Sequence, residues 1–380
     1  MNKKHSDDTE LDHIITRRKF LGTTALSSAA LLSGGITSFL RQSASASRGH
    51  FDFVEKSILE LQDAMASGQL TSRELTLGYI RRVQQLNPLI HSVIELNPNA
   101  IAIATQLDVE RRQGHVRGPL HGIPLLVKDN VATDDQMQTT AGSLALYGSH
   151  VPSDAVIIQQ LRAAGAIILG KSNLGEWANF RDDEAETYPL AVGWSARGGD
   201  TKNAYDLSYT SWGSSSGSAN GTAANLCAAA IGTETDGSIT GPSAVENIVG
   251  LKPTLGLVSQ DGIVPISHQQ DTAGPMARSV TDVAILLGVL QSPWGEVLGH
   301  QLPSDYTQFL DPNALDGAVI GRDVRFFDYS YYGSGIPGDE LTVAFAENAL
   351  SVMESLGATV VPVDTGDVFA YTGDEFTALL

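Results

Sequence analysis

Short runs of consecutive apolar residues are the feature that most restricts how this chain can fold. Residues 123–127 and 166–169 are apolar throughout, without the alternation of a strand that has one solvated face. Such strands must be covered on both faces, which is typical of parallel sheets joined by crossover helices. Helix-like segments separate these runs. The sequence therefore predicts an α/β fold with a single large domain, in which helices cover both faces of a mixed, largely parallel central sheet.

Helix signals divide the chain more finely. Thr71 and Glu74 form a capping-box pattern, which predicts a helix that begins there and ends before Asn87-Pro88. Residues 173–180 also resemble the start of a helix. Further helices are predicted at 54–66, 100–113, 154–164, 281–290 and 340–356, and strands at 93–96, 319–327 and 359–363.

The edge of the sheet at which its parallel strands end is the expected place for a functional site. Lys128 directly follows one apolar run, and Ser238 lies shortly after another. Glycine and serine are concentrated at 213–218 and again at 232–238, on either side of an alanine-rich segment. Both residue types weaken regular structure, so their concentration here indicates backbone that closely approaches a ligand.

Charge and composition exclude several classes of function. The 380 residues carry a net charge of −19 and no basic cluster beyond the N-terminus, so we expect no nucleic-acid partner. Cys227 is the single cysteine, which excludes an intramolecular disulfide. The nine histidines form no His-x-x-x-His pair, so we expect a site without a metal ion and without another cofactor. The oligomeric state is not specified by the sequence.

Residues 1–46 have the pattern of an export signal. Arg17 and Arg18 precede a mildly apolar run, rich in Gly, Ala and Ser, that extends to Leu40, and small residues follow at 44–46. This order is typical of a twin-arginine signal with a cleavage site. The alternative is a soluble amphipathic N-terminal helix. We expect a periplasmic or secreted protein, without a stable membrane span in the mature chain, because glycine and serine interrupt the apolar run.

Two other motifs match known patterns but lack the context that those patterns need. Residues 213–217 fit the G-x-S-x-G nucleophile elbow around Ser215, which would need His268 or His300 as its base, but the strand expected before it is only half apolar. Residues 165–172 fit a Walker A phosphate loop, but their variable positions read Ala-Ile-Ile-Leu, which is typical of a buried strand. We therefore interpret Lys171, in the second motif, as structural, and keep Ser215 as an alternative nucleophile.

Lys128, Ser214 and Ser238 together indicate a different chemistry. A serine needs a base to act as a nucleophile, and a neutral lysine can replace histidine in that role. Burial beside the apolar run 123–127 would lower the pKa of Lys128. The turn at 232–238 can present several backbone amides to an oxyanion. The residues thus favour a serine hydrolase with a lysine base, and the lack of any Ser-x-x-Lys excludes the penicillin-binding arrangement.

The chain from about 54 to 287 resembles the amidase signature family through five ordered motifs. Within the family it is most similar to bacterial peptide amidases, through residues 172–180 and 193–199. The family motifs lie at 122–130 for the lysine, 213–219 for the glycine–serine loop, 232–239 for the nucleophile turn, and 250–254 and 271–276 downstream. The resemblance implies the fold of that family and an amidase that hydrolyses carboxamide C–N bonds, such as the C-terminal amides of peptides.

By this resemblance Ser238 is the nucleophile, Lys128 is the base, and Ser214 is a bridging serine that follows a non-proline cis peptide from Gly213. Neutral Lys128 takes the proton of Ser214 while Ser214 takes that of Ser238, and Ser238 becomes acylated. Ser214 then returns the proton to the leaving ammonia or amine, and water releases the acid. The oxyanion hole would consist of the backbone amides of Thr235, Asp236, Gly237 and Ser238.

Three departures from the family pattern bear on the site. Thr240 stands where many members have arginine, and Glu246-Asn247 replaces the usual Asn-Gly. Ala204 stands where close relatives have proline. The departure at Glu246 matters most for the mechanism, because a carboxylate there could hold Lys128 in its charged, inactive form.

Members of the family continue beyond the point where this sequence stops, at Leu380. The segment 374–380 opens like a helix and lacks a cap. We therefore expect residues 47–380 to be an amidase signature domain without its C-terminal part, and the alternative function is a truncated, catalytically inactive relative. Transamidating amidotransferase subunits share the motifs, but they act in the cytosol, so the export signal argues against them.

Overall fold

The computed structural model describes residues 51–181, 192–292, 296–297, 300–303, 305–327 and 339–364. The predicted export signal at 1–46 and the final segment 374–380 lie outside these residues. The described residues divide into two units, with the boundary between Tyr306 and Thr307.

In the first unit, helices alternate with strands. Its helices are α1 (Ile58–Ala66), α2 (Ser72–Ile90), α3 (Ala100–Arg112), α4 (Val156–Ala163), α5 (Ser216–Ala223), α6 (Thr240–Val245) and α7 (Val280–Leu290), with a 3₁₀ turn at Leu144–Leu146. Its strands are β1 (Val93–Leu96), β2 (Pro124–Lys128), β3 (Ile167–Ser172), β4 (Trp194–Ser195), β5 (Gly199–Asp200), β6 (Ala229–Glu234), β7 (Val249–Gly250), β8 (Thr272–Ala277), β9 (Glu296–Val297) and β10 (His300–Gln301). Most of the predicted elements in this unit are present, within a few residues of their predicted bounds.

Six strands form one mixed sheet in the order β1–β3–β2–β6–β8–β7. β2 is parallel to β3 and β6, β1 and β8 are antiparallel to their neighbours, and β7 is antiparallel to β8, so most of the strands point the same way. Every residue of β2, β3, β6 and β8 is buried. Because successive side chains of a strand point to opposite faces, both faces of the sheet are covered. The predicted α/β fold class with a largely parallel central sheet is confirmed.

The helices pack on the sheet through apolar stripes. α2 and α5 lie against β2, α4 lies against β3, and α7 lies against β8. In α2 the buried residues recur every three or four positions, as a helix with one covered face requires. They include Leu75, Tyr79, Val83, Leu86 and Ile90. Each such side chain stabilises the fold by about 1.5–3 kcal/mol relative to an exposed position.

The predicted start of α2 is confirmed and its predicted end is wrong. Thr71 Oγ1 accepts a hydrogen bond from Glu74 N at 3.1 Å, and the Glu74 carboxylate accepts one from Thr71 N at 2.9 Å. The helix nevertheless continues through Pro88 to Ile90 and ends at His91, whose φ is 51°. Proline removes only one amide donor at this point, and burial of Ile90 in the core keeps the last turn helical.

The helix predicted at 173–180 is also wrong. Trp177, Ala178 and Asn179 have φ values of 50°, 58° and 75°, which belong to the left-handed region and cannot continue a right-handed helix. Upstream of them, the buried carboxylate of Glu176 accepts a hydrogen bond from Ala196 N at 2.7 Å. Tertiary contacts therefore override the local helix signal in this segment.

The second unit contains a parallel pair of strands, β11 (Val319–Asp323) and β12 (Thr359–Val363), and the helix α8 (Asp339–Ser355). Two 3₁₀ turns lie at Thr307–Phe309 and Val324–Phe327, so the strand predicted at 319–327 ends at Asp323. Within the described ranges of both units, no helix combines the length and the apolar character that crossing a membrane requires.

Candidate active site

Lys128 is the last residue of β2, the strand that lies between β3 and β6 in the sheet. Its side chain is fully buried. The Nζ atom lies 2.7 Å from Ser214 Oγ, 2.9 Å from Thr233 Oγ1 and 3.1 Å from the Thr233 carbonyl oxygen. The predicted pair of Lys128 and Ser214 is thus in direct contact, although the two residues are far apart in the sequence.

The electrostatic environment of Lys128 favours a neutral amine. Burial lowers its pKa to about 7, against the opposing attraction of the Glu234 and Asp271 carboxylates. A free lysine titrates near 10.4, so a pKa near 7 gives a large neutral fraction at neutral pH. A neutral amine with a pKa near the working pH is well suited to take a proton from a hydroxyl group.

Ser214 follows a cis peptide bond from Gly213, as the family resemblance implied. Ser214 is fully buried, and its carbonyl oxygen accepts a hydrogen bond from Gly175 N at 3.0 Å. The next amide, that of Ser215, donates to the Ser238 carbonyl oxygen at 3.1 Å. This backbone bond joins the glycine–serine loop to the turn that carries Ser238.

The backbone around α5 approaches its neighbours closely, as the concentration of small residues predicted. A Cβ atom added at Gly217 would lie 2.2 Å from the Ser92 carbonyl oxygen and 2.5 Å from Asn173 N. No other residue fits there without displacing main chain. The glycine therefore allows α5 to hold the loop of Ser214 against the sheet.

The turn between β6 and α6 carries Ser238 and is fixed by one carboxylate. Glu234 accepts hydrogen bonds from Ile239 N at 2.7 Å and from Thr240 N at 2.9 Å. A carboxylate at these amides satisfies donors that the start of a helix leaves free. Thr240, where many relatives have arginine, is thereby part of the turn's own support, since its hydroxyl also contacts Glu234 at 3.2 Å.

A second carboxylate holds the other side of the turn. Thr235 Oγ1 donates to Asp271 Oδ1 at 2.6 Å, and Asp271 Oδ2 accepts from the amides of Ile266 and Ser267 at 2.8 and 2.9 Å. Gly237 has a φ of 69°, in the region that favours glycine. The turn is therefore shaped by fixed contacts at both ends and by a glycine in its middle.

The predicted oxyanion donors lie in this turn. Within the described part of the chain, no residue accepts a hydrogen bond from the backbone amides of Thr235, Asp236, Gly237 and Ser238. Successive amides that are left free in a tight turn form a concave anion site. The turn is therefore able to stabilise a developing oxyanion.

Ser238 is buried except for a small exposed fraction, 8%. Its hydroxyl makes no hydrogen bond with any of the described residues, so the predicted contact with Ser214 Oγ is not formed in this structure. The two serines are linked instead through the backbone bond from Ser215. In the absence of substrate, catalytic hydrogen bonds are often long or open, and they tighten when the substrate binds.

The alternative nucleophile, Ser215, has its hydroxyl engaged elsewhere. Its Oγ donates to the Thr233 carbonyl oxygen at 3.0 Å and accepts from Thr233 N at 3.2 Å. The side chain is fully buried, whereas the elbow mechanism needs an exposed nucleophile beside a histidine. These contacts favour a structural role, in which Ser215 joins the loop to β6.

Lys171 lies in β3, so the segment that fits the Walker A pattern is a buried strand and not a phosphate loop. Its Nζ donates to the Val131 carbonyl oxygen and, at 3.0 Å, to Thr139 Oγ1. Lys171 therefore holds the loop that follows β2, in agreement with its interpretation as structural.

Glu246 does not act on Lys128 as the sequence led us to consider. Its buried carboxylate accepts hydrogen bonds from Asn220 Nδ2 at 3.0 Å and from Ala204 N at 3.2 Å, and burial raises its pKa to about 7. The carboxylates that raise the pKa of Lys128 are Glu234 and Asp271. Asn247, which follows Glu246, has a φ of 51°, a conformation that asparagine tolerates well.

A pocket of about 180 Å³ opens beside the turn. Its lining includes Thr233, Thr235, Asn130, His268 and Asp271. Apolar side chains, among them Ile263 and Val264, share the lining with carboxylates such as Asp271, which can accept hydrogen bonds from a ligand. Across the described ranges, no group of three or more His, Cys, Asp or Glu side chains is arranged to hold a metal ion.

Several residues of the site were not foreseen. Thr233 accepts hydrogen bonds from Lys128 directly, and Asn130 Nδ2 donates to Thr233 Oγ1 at 3.0 Å. Glu234 and Asp271 fix the turn. These residues lie inside the motifs at 122–130, 232–239 and 271–276, so the sequence marks them as candidates. A motif does not show which of its residues contact a distant strand.

Comparison with known proteins places these features in a family. The sequence profile described as "Amidase" matches residues 74–371. A protein named as an amidase in Schizosaccharomyces pombe is 48% identical over 278 residues, which are 70% of this chain and 46% of that protein. A glutamyl-tRNA(Gln) amidotransferase subunit from Halorhodospira halophila is 37% identical over 313 residues, which are 81% of this chain and 60% of that protein.

Solved structures agree with these matches. The native peptide amidase from Stenotrophomonas maltophilia superposes with a TM-score of 0.77 at 46% identity, over 86% of this chain and 66% of that one. The described fold is therefore that of the matched structures. The chain spans about half the length of curated relatives that it matches.

Proposed function

This chain belongs to the amidase signature family, and we propose that it hydrolyses the carbon–nitrogen bond of carboxamides through an acyl-enzyme on Ser238. The observation that carries the proposal is the contact of a buried amine, with a pKa of about 7, and Ser214 Oγ at 2.7 Å. This pair lies beside a turn that presents Ser238 and four backbone amides.

The proposed reaction begins with proton transfer along the two serines. Neutral Lys128 takes the proton of Ser214, Ser214 takes that of Ser238, and the Ser238 oxygen attacks the amide carbon. The amides from Thr235 to Ser238 hold the negative oxygen of the tetrahedral intermediate. The same relay then acts in reverse, because nitrogen is a poor leaving group and must be protonated as the C–N bond breaks. Water repeats the attack on the acyl-enzyme and restores Ser238.

We propose the C-terminal amides of peptides as the substrates. The support is the likeness to the Stenotrophomonas maltophilia peptide amidase, which covers most of this chain at 46% identity. The amidotransferase subunit is less similar, at 37% identity. Hydrolysis with release of ammonia is therefore favoured over transfer of ammonia to a second substrate.

The test is the release of ammonia from an N-acetylated dipeptide amide. The full chain should release ammonia, and Ser238→Ala should lose this activity. Ser67→Ala, at an exposed serine that follows α1, is the matched control and should keep it. Activity in Ser238→Ala would refute the assigned nucleophile, and an inactive but folded wild-type chain would favour the alternative of a catalytically inactive relative.

We also propose export by the twin-arginine route, on the basis of Arg17, Arg18 and the apolar run that follows them. Residues 1–46 fused to a folded reporter should direct it to the periplasm. Replacement of both arginines by lysine should keep the reporter in the cytoplasm. Periplasmic reporter from the lysine variant, or none from the original sequence, would contradict the proposal.

A further inference from the structure

Thr233 contributes two of the three oxygen atoms around the Lys128 amine. Its carbonyl oxygen lies 3.1 Å from Nζ and its hydroxyl oxygen 2.9 Å from Nζ, while Ser214 Oγ is the third, at 2.7 Å. Thr233 is buried near the end of β6, which runs parallel to β2, so its position relative to Lys128 is set by the sheet. This threonine has no role in the relay described above.

The number of hydrogens on the amine makes this arrangement informative. A neutral amine has two N–H donors and one lone pair, whereas a charged amine has three donors and no lone pair. The Thr233 carbonyl oxygen can only accept, so it takes one N–H. If Thr233 Oγ1 takes the second, the lone pair is directed at Ser214 Oγ, and Ser214 must then donate its proton to Lys128.

Asn130 supports the accepting role of the Thr233 hydroxyl. Its Nδ2 donates to Thr233 Oγ1 at 3.0 Å, and Lys128 Nζ donates to the same oxygen. A threonine hydroxyl has two lone pairs, so these two donors together fill its accepting capacity. With both lone pairs used, the hydroxyl oxygen is held as an acceptor toward the amine.

We propose that Thr233 is a positioning residue that binds both N–H groups of neutral Lys128 and thereby directs its lone pair at Ser214. This inference rests on the proposed function, since it assigns the base role to Lys128. Thr233 does not touch the reacting atoms and acts only through the lysine. The charged groups that act on the amine, Glu234 from β6 and Asp271 before β8, both favour its protonated form, as an accepting Thr233 hydroxyl also does. The contribution of Thr233 to the relay is therefore the direction of the lone pair in the neutral amine.

The test replaces the hydroxyl and leaves the carbonyl. Thr233→Val should lower kcat/KM for the peptide amide about 10- to 100-fold. It should also move the acidic limb of the pH profile to lower pH, because the charged amine loses an acceptor and gains an apolar neighbour. Thr233→Ser keeps the oxygen and should stay within about threefold of the wild-type rate.

Thr76→Val is the matched control, because Thr76 is also buried and, among the described residues, its hydroxyl bonds only the Ser72 carbonyl oxygen, at 2.7 Å. This variant should leave the acidic limb unmoved. If Thr233→Val has the wild-type kcat/KM and the wild-type acidic limb of the pH profile, the inference is overturned. A slower Thr233→Val with an unmoved limb, matched by an equally slow Thr233→Ser, would overturn it too, since packing alone would then explain the loss.

Titration of Lys128 by NMR, with ¹³C-labelled lysine, separates this inference from the proposed function. If the wild-type chain hydrolyses no amide, the proposed function fails, but the lysine still titrates. A Lys128 pKa that is lower in Thr233→Val than in wild type supports the inference in either case. An identical pKa in the two proteins overturns it.

Discussion

Two fully buried lysines lie on neighbouring strands of the sheet and have different surroundings. Lys128 ends β2, and Lys171 lies opposite Val127 on β3. Burial lowers the pKa of both amines, to about 7 for Lys128 and to about 8 for Lys171. Burial alone therefore does not distinguish a base from a structural cation.

The oxygen atoms around each amine make the distinction. Lys171 binds the Val131 carbonyl oxygen and the hydroxyl of Thr139, and that hydroxyl itself donates to Val131 at 3.4 Å. Lys128 binds Ser214, whose loop is joined to the turn of Ser238. A lowered pKa becomes useful for catalysis only where the amine faces a hydroxyl that can give its proton away.

Removal of each amine in turn should produce the largest difference between the two lysines, which is a difference in the rate of amide hydrolysis. Lys128→Met keeps the volume of the side chain and removes the base, so kcat for the peptide amide should fall about 10⁴-fold. The fold should be retained, because Met suits a buried position. Ammonia release measures the rate, and circular dichroism with urea unfolding measures the fold. A folded Lys128→Met with near wild-type activity would contradict the assignment of the base.

Comparison of Lys128→Met with the wild-type chain also tests the linkage between protonation and stability. The pKa of Lys128 in the folded protein, about 7, lies below the unfolded value of 10.5. Between these values the unfolded chain binds more protons, so stability should rise with pH from about 7 to 10.5. Lys128→Met should reduce that slope.

Lys171→Met should have the opposite effects: it should lower the free energy of unfolding and change kcat/KM little. It removes the amine that donates to the Val131 carbonyl oxygen, and it removes one of the positive charges near the buried Asp129 carboxylate, which Arg197 still contacts at 3.5 Å. The expected cost is about 1–3 kcal/mol. Urea unfolding measures this loss. The acidic limb of kcat/KM should stay near pH 7 in the folded variant, and a displaced limb would show that Lys171 contributes to the titration we assign to Lys128.

The smallest expected effect concerns Glu246, a third buried titratable group, whose pKa burial raises to about 7. Its folded pKa lies above the unfolded value of 4.5, so the folded chain binds more protons between them and stability should fall as the pH rises from 4.5 to about 7. Glu246→Gln should reduce this slope and leave the acidic limb of kcat/KM within about 0.3 pH units. A larger displacement would mean that Glu246, and not Lys128 alone, controls the rate.

Much of the fold could be predicted because burial leaves a direct pattern in the sequence. The run 123–127 and the capping box of Thr71 and Glu74 each specify an element from local chemistry. Pro88 and the segment 173–180 could not be read in this way. There the conformation depends on contacts with distant residues, such as the bond between Glu176 and Ala196.

The site residues also differ in whether local sequence or distant contacts identify them. Lys128, Ser214 and Ser238 are predicted as site residues from motifs, each of which is a short stretch of sequence. The role inferred for Thr233 depends on the register in which Val127 pairs with Ile231, and a single sequence does not contain that pairing. The contact between Glu234 and the start of α6 likewise depends on how the turn closes.

Reaction with a sulfonyl fluoride, followed by mass spectrometry of the labelled peptide, tests the central claim most directly. Such a reagent modifies an activated serine and needs no knowledge of the substrate. The adduct should form on Ser238, at a rate that rises with pH through about 7, and should be lost in Lys128→Met. An adduct on Ser215, or a labelling rate that is unchanged in Lys128→Met, would contradict a lysine-driven relay to Ser238.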